Sequence, residues 1–183
     1  MKVVVEECNP EWAVQFQQIK EELEEILRGV NYLGIEHVGS TSVPGLVAKP
    51  VINLSIISSR ADVQAAIDAL TSKGGYVYEG EMGIPDRHAF RKLGAFPTRH
   101  LYVSVDRCQS IRNQLGVRDI CRSDPAVRDA YGWTKLELVQ REWRDVDQYC
   151  EAKNDILVWV LEKAGMSSEE REQVRQLTTT ATS

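Results

Sequence analysis

Residues Ile35–Ser55 read IEHVGSTSVPGLVAKPVINLS. Two apolar runs flank a turn of small hydroxyl residues, Gly39-Ser40-Thr41-Ser42, and a Pro44-Gly45 loop. The pattern predicts a strand over Ile35–Val38, a tight turn, and a second strand over Val51–Ile57. Glycine lets backbone approach a ligand closely, and the hydroxyls can donate to phosphate oxygens. Lys49 adds a positive charge just before the second strand. Most small polar turns bind nothing, so the motif alone is a weak signal. Alternation puts Val51, Asn53, Ser55 and Ile57 on one side of the second strand, opposite Ile52, Leu54 and Ile56. Two polar residues therefore share one face of an otherwise apolar strand.

Outward from this stretch, Asn9-Pro10 opens a helix with Trp12, Phe16, Ile19, Leu23 and Ile26 on one face. A second helix is expected over 61–73. Three further strands follow, over Tyr76–Glu79, His88–Leu93 and His100–Val105, with His100, Tyr102 and Ser104 on one side of the last. From Gln109 the pattern is helical. One helix ends near Arg122, and the next starts at Asp124-Pro125, an acidic cap followed by proline in the first turn. A third is expected over Val146–Ala164 and a short polar one over 167–177, with the final TTTATS unstructured. The order predicts an α+β fold: a mixed sheet of about five strands flanked by helices, with a helical C-terminal part. Residues 1–166 form one domain in this reading, and 167–183 a polar tail.

The totals exclude several classes. A chain of 183 residues with net charge −5 suits one globular domain and argues against a protein that coats nucleic acid. No apolar run approaches a membrane span, and the N-terminus lacks a secretory pattern, so a cytoplasmic location is expected. Four cysteines, Cys8, Cys108, Cys121 and Cys150, show no metal spacing and read as free thiols. Residues 87–128 hold nine bases against three acids, which points to a small anionic ligand or to a plain solvated surface.

Two Tyr/Lys pairs lie four residues apart on expected helices, Tyr131 with Lys135 and Tyr149 with Lys153. Each lysine falls in an apolar stripe, where an ammonium costs free energy unless it meets an anion or reaches water. Two such lysines on neighbouring helices could converge on a triphosphate. The bland alternative is an edge-of-core lysine paired with an acid such as Asp119. His37, His88 and His100 are too scattered for a metal site, and His100, beside Arg99 and on one face with Tyr102, is the best functional candidate.

At HVGSTSVPGLVAKPVINL (His37–Leu54), RHLYV (Arg99–Val103), VRDICRSDP (Val117–Pro125) and the two Tyr/Lys pairs, the chain resembles the GrpB family of the nucleotidyltransferase superfamily. The resemblance covers about residues 8–164. It implies a nucleotidyltransferase-like sheet whose Gly-Ser turn holds phosphates beside a metal-binding strand. It also implies magnesium and a nucleoside triphosphate, ATP first among them, as cofactors. Carried over residue by residue, it assigns phosphate or nucleotide contacts to Gly39, Ser40, Thr41, Ser42, Lys49, Arg118, Lys135, Tyr149 and Lys153, and Arg91 of the basic segment joins them as a candidate. Asn53, Ser55, His100 and Tyr102 fall at catalytic positions. Here the chain departs from the pattern. Asn53 stands where an aspartate is usual, Ser55 where some members keep a second acid, and Tyr102 where histidine is frequent. Magnesium prefers anionic oxygen, so a two-metal mechanism is weakened unless Glu36, Glu79, Glu81 or Asp86 replaces the lost charge.

Three readings stay open from sequence. The first is an enzyme that transfers a nucleotidyl group or activates a carboxylate with a nucleoside triphosphate, with His100 as general base or electrostatic stabiliser. The second is a catalytically degenerate module that binds a nucleotide or another anion. The third is a repurposed, metal-independent enzyme on a small anionic substrate. In all three the partner is a small anionic or nucleotide ligand.

Overall fold

The computed structural model describes residues 4–145, 148 and 151–180. Five strands form one mixed sheet: β1 (Gly34–Val38), β2 (Ile52–Ser58), β3 (Val77–Gly80), β4 (Arg87–Arg91) and β5 (Arg99–Val105), in the order β1-β2-β5-β4-β3. The central β2–β5 pair is parallel and the outer pairs are antiparallel. Helices α1 (Glu11–Ile26) and α2 (Val63–Ser72) precede and interrupt the strands. Helices α3 (Gln109–Ser123), α4 (Pro125–Val139), α5 (Asn154–Lys163) and α6 (Ser168–Thr180) follow them. The α+β architecture and the strand count match the expectation.

Why α1 forms is legible in its ends and stripe. Asn9 Oδ1 accepts from the Glu11 N–H at 3.0 Å, relieving one of the donors that a helix start leaves unpaired. Trp12, Ile19 and Leu23 are buried, while the glutamates take the outer side. At α4, Asp124 Oδ1 accepts from the Ala126 and Val127 N–H groups at 2.9 and 3.2 Å, with Pro125 in the first turn.

The register divides the sheet into two unlike faces. Pairs Ile35↔Ile56, His37↔Leu54 and Leu54↔Leu101 share one face, which packs with Trp12, Leu23, Ile67 and Leu70 into the main core. Pairs Glu36↔Ser55, Asn53↔His100, Ser55↔Tyr102 and Arg87↔Ser104 share the other. That second face carries polar groups in each of β1, β2, β5 and β4, with Val38, Ile57 and Ala89 beside them. The helical layer covers it, and a smaller core of Val43, Leu46, Cys121, Val127, Tyr131 and Val160 ties that layer to the Pro-Gly loop.

Three boundaries differ from the sequence reading. The short polar helix expected over 167–177 forms as α6 and runs on through Thr180, three residues into the stretch expected to be unstructured. Among its described side chains Val174 is the buried apolar anchor, with Glu170 paired to Arg112 and Arg171 Nη1 to Glu162 at 2.7 Å. The strands shift by one or two residues, since β4 starts at Arg87 and ends at Arg91. Lys153 precedes α5 as its cap, and Val146, Tyr149 and Cys150 lie outside the described residues. Cys8, Cys108 and Cys121 are free thiols, and no described helix is long and apolar enough to cross a membrane.

Leu54 sits fully buried at the centre of β2. Leu54→Ala should cost about 2–5 kcal/mol, the range for a large-to-small change that leaves a cavity. A urea titration followed by circular dichroism would read it.

Candidate functional site

The turn after β1 is built around one glycine. Gly39 has φ +71°, and a Cβ there would lie 2.9 Å from Asn53 Nδ2, so only glycine admits both the turn and its close approach to β2. Residues Ser40–Ser42 then make one turn of 3₁₀ helix. Two of its three hydroxyls are committed inward. Thr41 Oγ1 donates to the Val51 carbonyl at 3.1 Å, and Ser42 Oγ donates to the Gly39 carbonyl at 2.6 Å. Since the Thr41 hydrogen goes to Val51, the 3.0 Å contact with His37 Nε2 makes that ring nitrogen the donor. Burial, with Arg122 and Arg118 nearby, pushes the His37 pKa down to about 4, so the ring is neutral at pH 7. It stacks on Phe16 at 4.7 Å and anchors the turn to the main core.

Ser40 is different. Its Oγ accepts a hydrogen bond from Lys135 Nζ at 2.6 Å, so its own hydrogen remains to be donated elsewhere. Lys135 is 3% exposed, donates also to the Val47 carbonyl at 3.0 Å, and lies 4.0 Å from the centre of the Tyr131 ring. Among the described residues no acid contributes to its environment. Burial, with the nearby Lys153 cation, pushes its pKa down to about 7. The two lysines singled out in the sequence are thus brought close enough to repel each other. Tyr149, named with them, lies outside the described residues.

A second cluster stands on the polar sheet face. Asn53 Nδ2 donates to the Val51 carbonyl at 3.2 Å, which leaves Oδ1 to accept from His100 Nδ1 at 3.2 Å. With that hydrogen on Nδ1, the neutral form of the ring carries its lone pair on Nε2, away from Asn53. His100 is exposed near the start of its strand, yet the groups packed around the ring and the Lys49 and Arg87 cations hold its pKa below the usual imidazole range. Lys49 is therefore near the pair. Tyr102 lies under the Arg87 guanidinium, 4.7 Å from carbon to ring centre, and burial holds its phenol above the ordinary pKa.

Other expected contacts are already engaged within the protein. Arg118 Nη1 donates to Glu36 Oε2 at 2.6 Å and its Nε to Asp119 Oδ1 at 2.7 Å. Arg91 Nε donates to Glu79 Oε1 at 2.8 Å on an exposed edge. Ser55 is fully buried and donates to Gln114 Oε1 at 2.8 Å. Arg118, Arg91 and Ser55 therefore bond to neighbouring side chains where the sequence reading turned them toward a ligand.

Sequence reasoning missed three residues. Gln114 closes over Ser55, Arg122 donates through Nε and Nη2 to the Ser42 carbonyl at 3.0 and 2.7 Å, and Arg87 covers Tyr102. The signal for two of them was present: Gln114, Arg118 and Arg122 recur at four-residue spacing, a polar stripe on α3 facing a polar sheet. Between that sheet face and the helices runs a cleft of about 530 Å³, lined by Gly39, Ser40, Arg87, Gln114, Tyr131 and Leu161 among others. Its size falls within the range of small-molecule sites, about 300–1,000 Å³.

The magnesium implied by the resemblance does not fit these donors. Asn53 offers one neutral oxygen already bonded to His100, and Ser55 is closed off by Gln114. The four acids that could restore charge are each engaged: Glu36 by Arg118, Glu79 by Arg91, Asp86 by Arg60 at 2.7 Å, and Glu81 by the Asp86 N–H at 2.7 Å. Among the described residues no three acids, histidines or cysteines group as a metal cluster.

Residues 2–163 match the family model described as GrpB protein. Protein YqkA of Bacillus subtilis is 30% identical over 154 residues, which is 84% of this chain and 45% of YqkA, so the chain spans less than half of that relative. Protein BH1888 of Halalkalibacterium halodurans is 34% identical over 160 residues, 86% of this chain and 80% of that protein. The crystal structure of GrpB from Enterococcus faecalis aligns with a TM-score of 0.77 at 33% identity, covering 88% of this chain and 96% of that one.

Lys135 makes stability depend on pH in a predictable direction. Its folded pKa of about 7 lies below the ordinary lysine value of 10.5, so between them the unfolded chain binds more protons. The destabilisation is complete below pH 7 and is relieved as pH rises toward 10.5. From pH 7 to pH 9 the wild type should gain roughly 2 kcal/mol relative to Lys135→Met, read by urea melts at the two pH values.

Proposed function

This chain belongs to the GrpB family, and on that premise we propose that it is an anion-binding module whose ligand is a nucleotide or a related phosphate ester. One observation carries this reading: the Lys135 ammonium is buried against Ser40 Oγ with Lys153 nearby and no acid of the described residues to compensate it. A buried, unbalanced cation is costly, and an incoming anion would offset that cost. Ser40 would donate its free hydrogen to a phosphate oxygen, made a stronger donor by the ammonium behind it. The ligand's charge would raise the Lys135 pKa again, so binding would take up a proton near neutral pH.

Magnesium-dependent nucleotidyl transfer is the weaker reading, because the strand positions that would hold the ions carry Asn53 and the enclosed Ser55. A second reading has its own support. The Asn53–His100 hydrogen bond places the proton of the neutral imidazole on Nδ1 and leaves Nε2 to accept, near the Lys49 cation. That arrangement suits a general base in metal-independent chemistry on an anionic substrate.

Isothermal titration with ATP tests the module. We expect binding that survives EDTA, does not depend on added magnesium, and weakens as pH rises above 7. Lys135→Ala should cost about 1–3 kcal/mol, the scale of a lost charged hydrogen bond. Titration in buffers of different ionisation enthalpy should show proton uptake in the wild type and none in Lys135→Met. Affinity that appears only with magnesium, or that Lys135→Ala leaves unchanged, would overturn the proposal.

A further inference from the structure

The far side of the cleft holds a charge that the phosphate-binding reading does not use. Arg87 lies half-buried on the cleft wall, its guanidinium carbon 4.7 Å above the Tyr102 ring. Its Nε is buried with no hydrogen-bond partner among the described residues. The adjacent acid is no counter-charge, because Asp86 pairs with Arg60. Glu79, the next acid on that side, pairs with Arg91. The groups that act on Arg87 are the Tyr102 phenol and the Cys108 thiol, and burial keeps both of these protonated at neutral pH. An arginine held by stacking, in a cleft whose lining acid Asp86 is taken up by Arg60, is a planar fork open to a carboxylate or phosphate.

The surrounding wall says what else the ligand carries. Ile84, Val117, Leu157, Leu161 and Val174 line the same cleft. They come from the β3–β4 loop and from α3, α5 and α6, so the apolar wall is assembled from four separate elements. Apolar surface of this kind gives no binding to a bare inorganic anion and favours an organic body.

We propose that Arg87 and this apolar wall form a second subsite, for an organic anion with an apolar body and a carboxylate or phosphate head. The guanidinium pairs with the head while the body covers Val117 and the leucines of α5. The subsite does not depend on the Gly-Ser turn: a ligand there is recognised by Arg87, and one at Ser40 by Lys135. In a two-ligand reaction it would hold the partner of whatever binds at Ser40.

A matched series tests it by isothermal titration on the full chain: hexanoate, hexyl phosphate, hexanol and acetate. Hexanoate or hexyl phosphate should bind at least tenfold tighter than either hexanol or acetate, and the better of the two heads identifies the source of the anion. Arg87→Met, which keeps an apolar stem over Tyr102, should lose that tenfold preference, whereas Arg87→Lys should keep part of it. Val117→Trp should block the hexyl ligands by filling the cleft. Lys135→Ala should weaken ATP binding and keep hexanoate binding, which separates this subsite from the turn. Equal affinity for hexanol and hexanoate in the wild type would overturn the proposal without any variant. So would loss of hexanoate binding in Lys135→Ala with retention in Arg87→Met, which would place the anion at the turn instead.

Discussion

The polar stripe of α3 is what allows a sheet with one wet face to be covered at all. Gln114, Arg118 and Arg122, one helical turn apart, meet in succession the Ser55 hydroxyl, the Glu36 carboxylate and the Ser42 carbonyl. A helix with an apolar stripe in this place would strip water from those groups and return nothing, at a cost of about 1–3 kcal/mol for each unsatisfied partner. The match between a polar helix face and a polar strand face therefore fixes where α3 lies. From α3 follow the positions of α4, of Lys135 and of the cleft wall.

The opposite sheet face obeys simpler physics. Ile52, Leu54, Ile56, Leu101 and Val103 are essentially without exposure and pack on α1 and α2. That side supplies the area-driven stabilisation, at roughly 25 cal/mol per Å² of apolar surface removed from water. It leaves the other side able to carry groups that are unfavourable for stability. Lys135, Arg87 and the Asn53–His100 pair all lie on or against that second side.

Much of this was legible in the residues themselves. Strand alternation revealed the two faces, because Asn53 and Ser55 interrupt an apolar run with period two, and the register placed His100 and Tyr102 beside them. The inward lysine at 135 was visible because an ammonium in an apolar helical stripe must either find a polar partner inside or stretch out to water. What was not legible depends on contacts distant in sequence. Arg118 looked like a phosphate ligand until Glu36, 82 residues away, was seen to engage it. Ser55 looked like a residue open to the site, yet Gln114 from 59 residues on encloses it. The docking of α6 was hidden because, among its described side chains, Val174 alone is a buried apolar residue in a polar helix, too little periodicity to read. Arg87 was one base among nine, and only Tyr102 beneath it and Arg60 drawing off Asp86 distinguish it from its neighbours.

The Ser40–Ser42 turn is gripped from two directions, by Arg122 of α3 on the Ser42 carbonyl and by Lys135 of α4 on Ser40 Oγ and the Val47 carbonyl. Each helix holds its own part of the segment, α3 a backbone carbonyl and α4 a side-chain hydroxyl with the Val47 carbonyl beyond the turn. The turn is thus a clasp between layers, and the orientation of Ser40 Oγ is set by the docking of a helix and not by the turn alone.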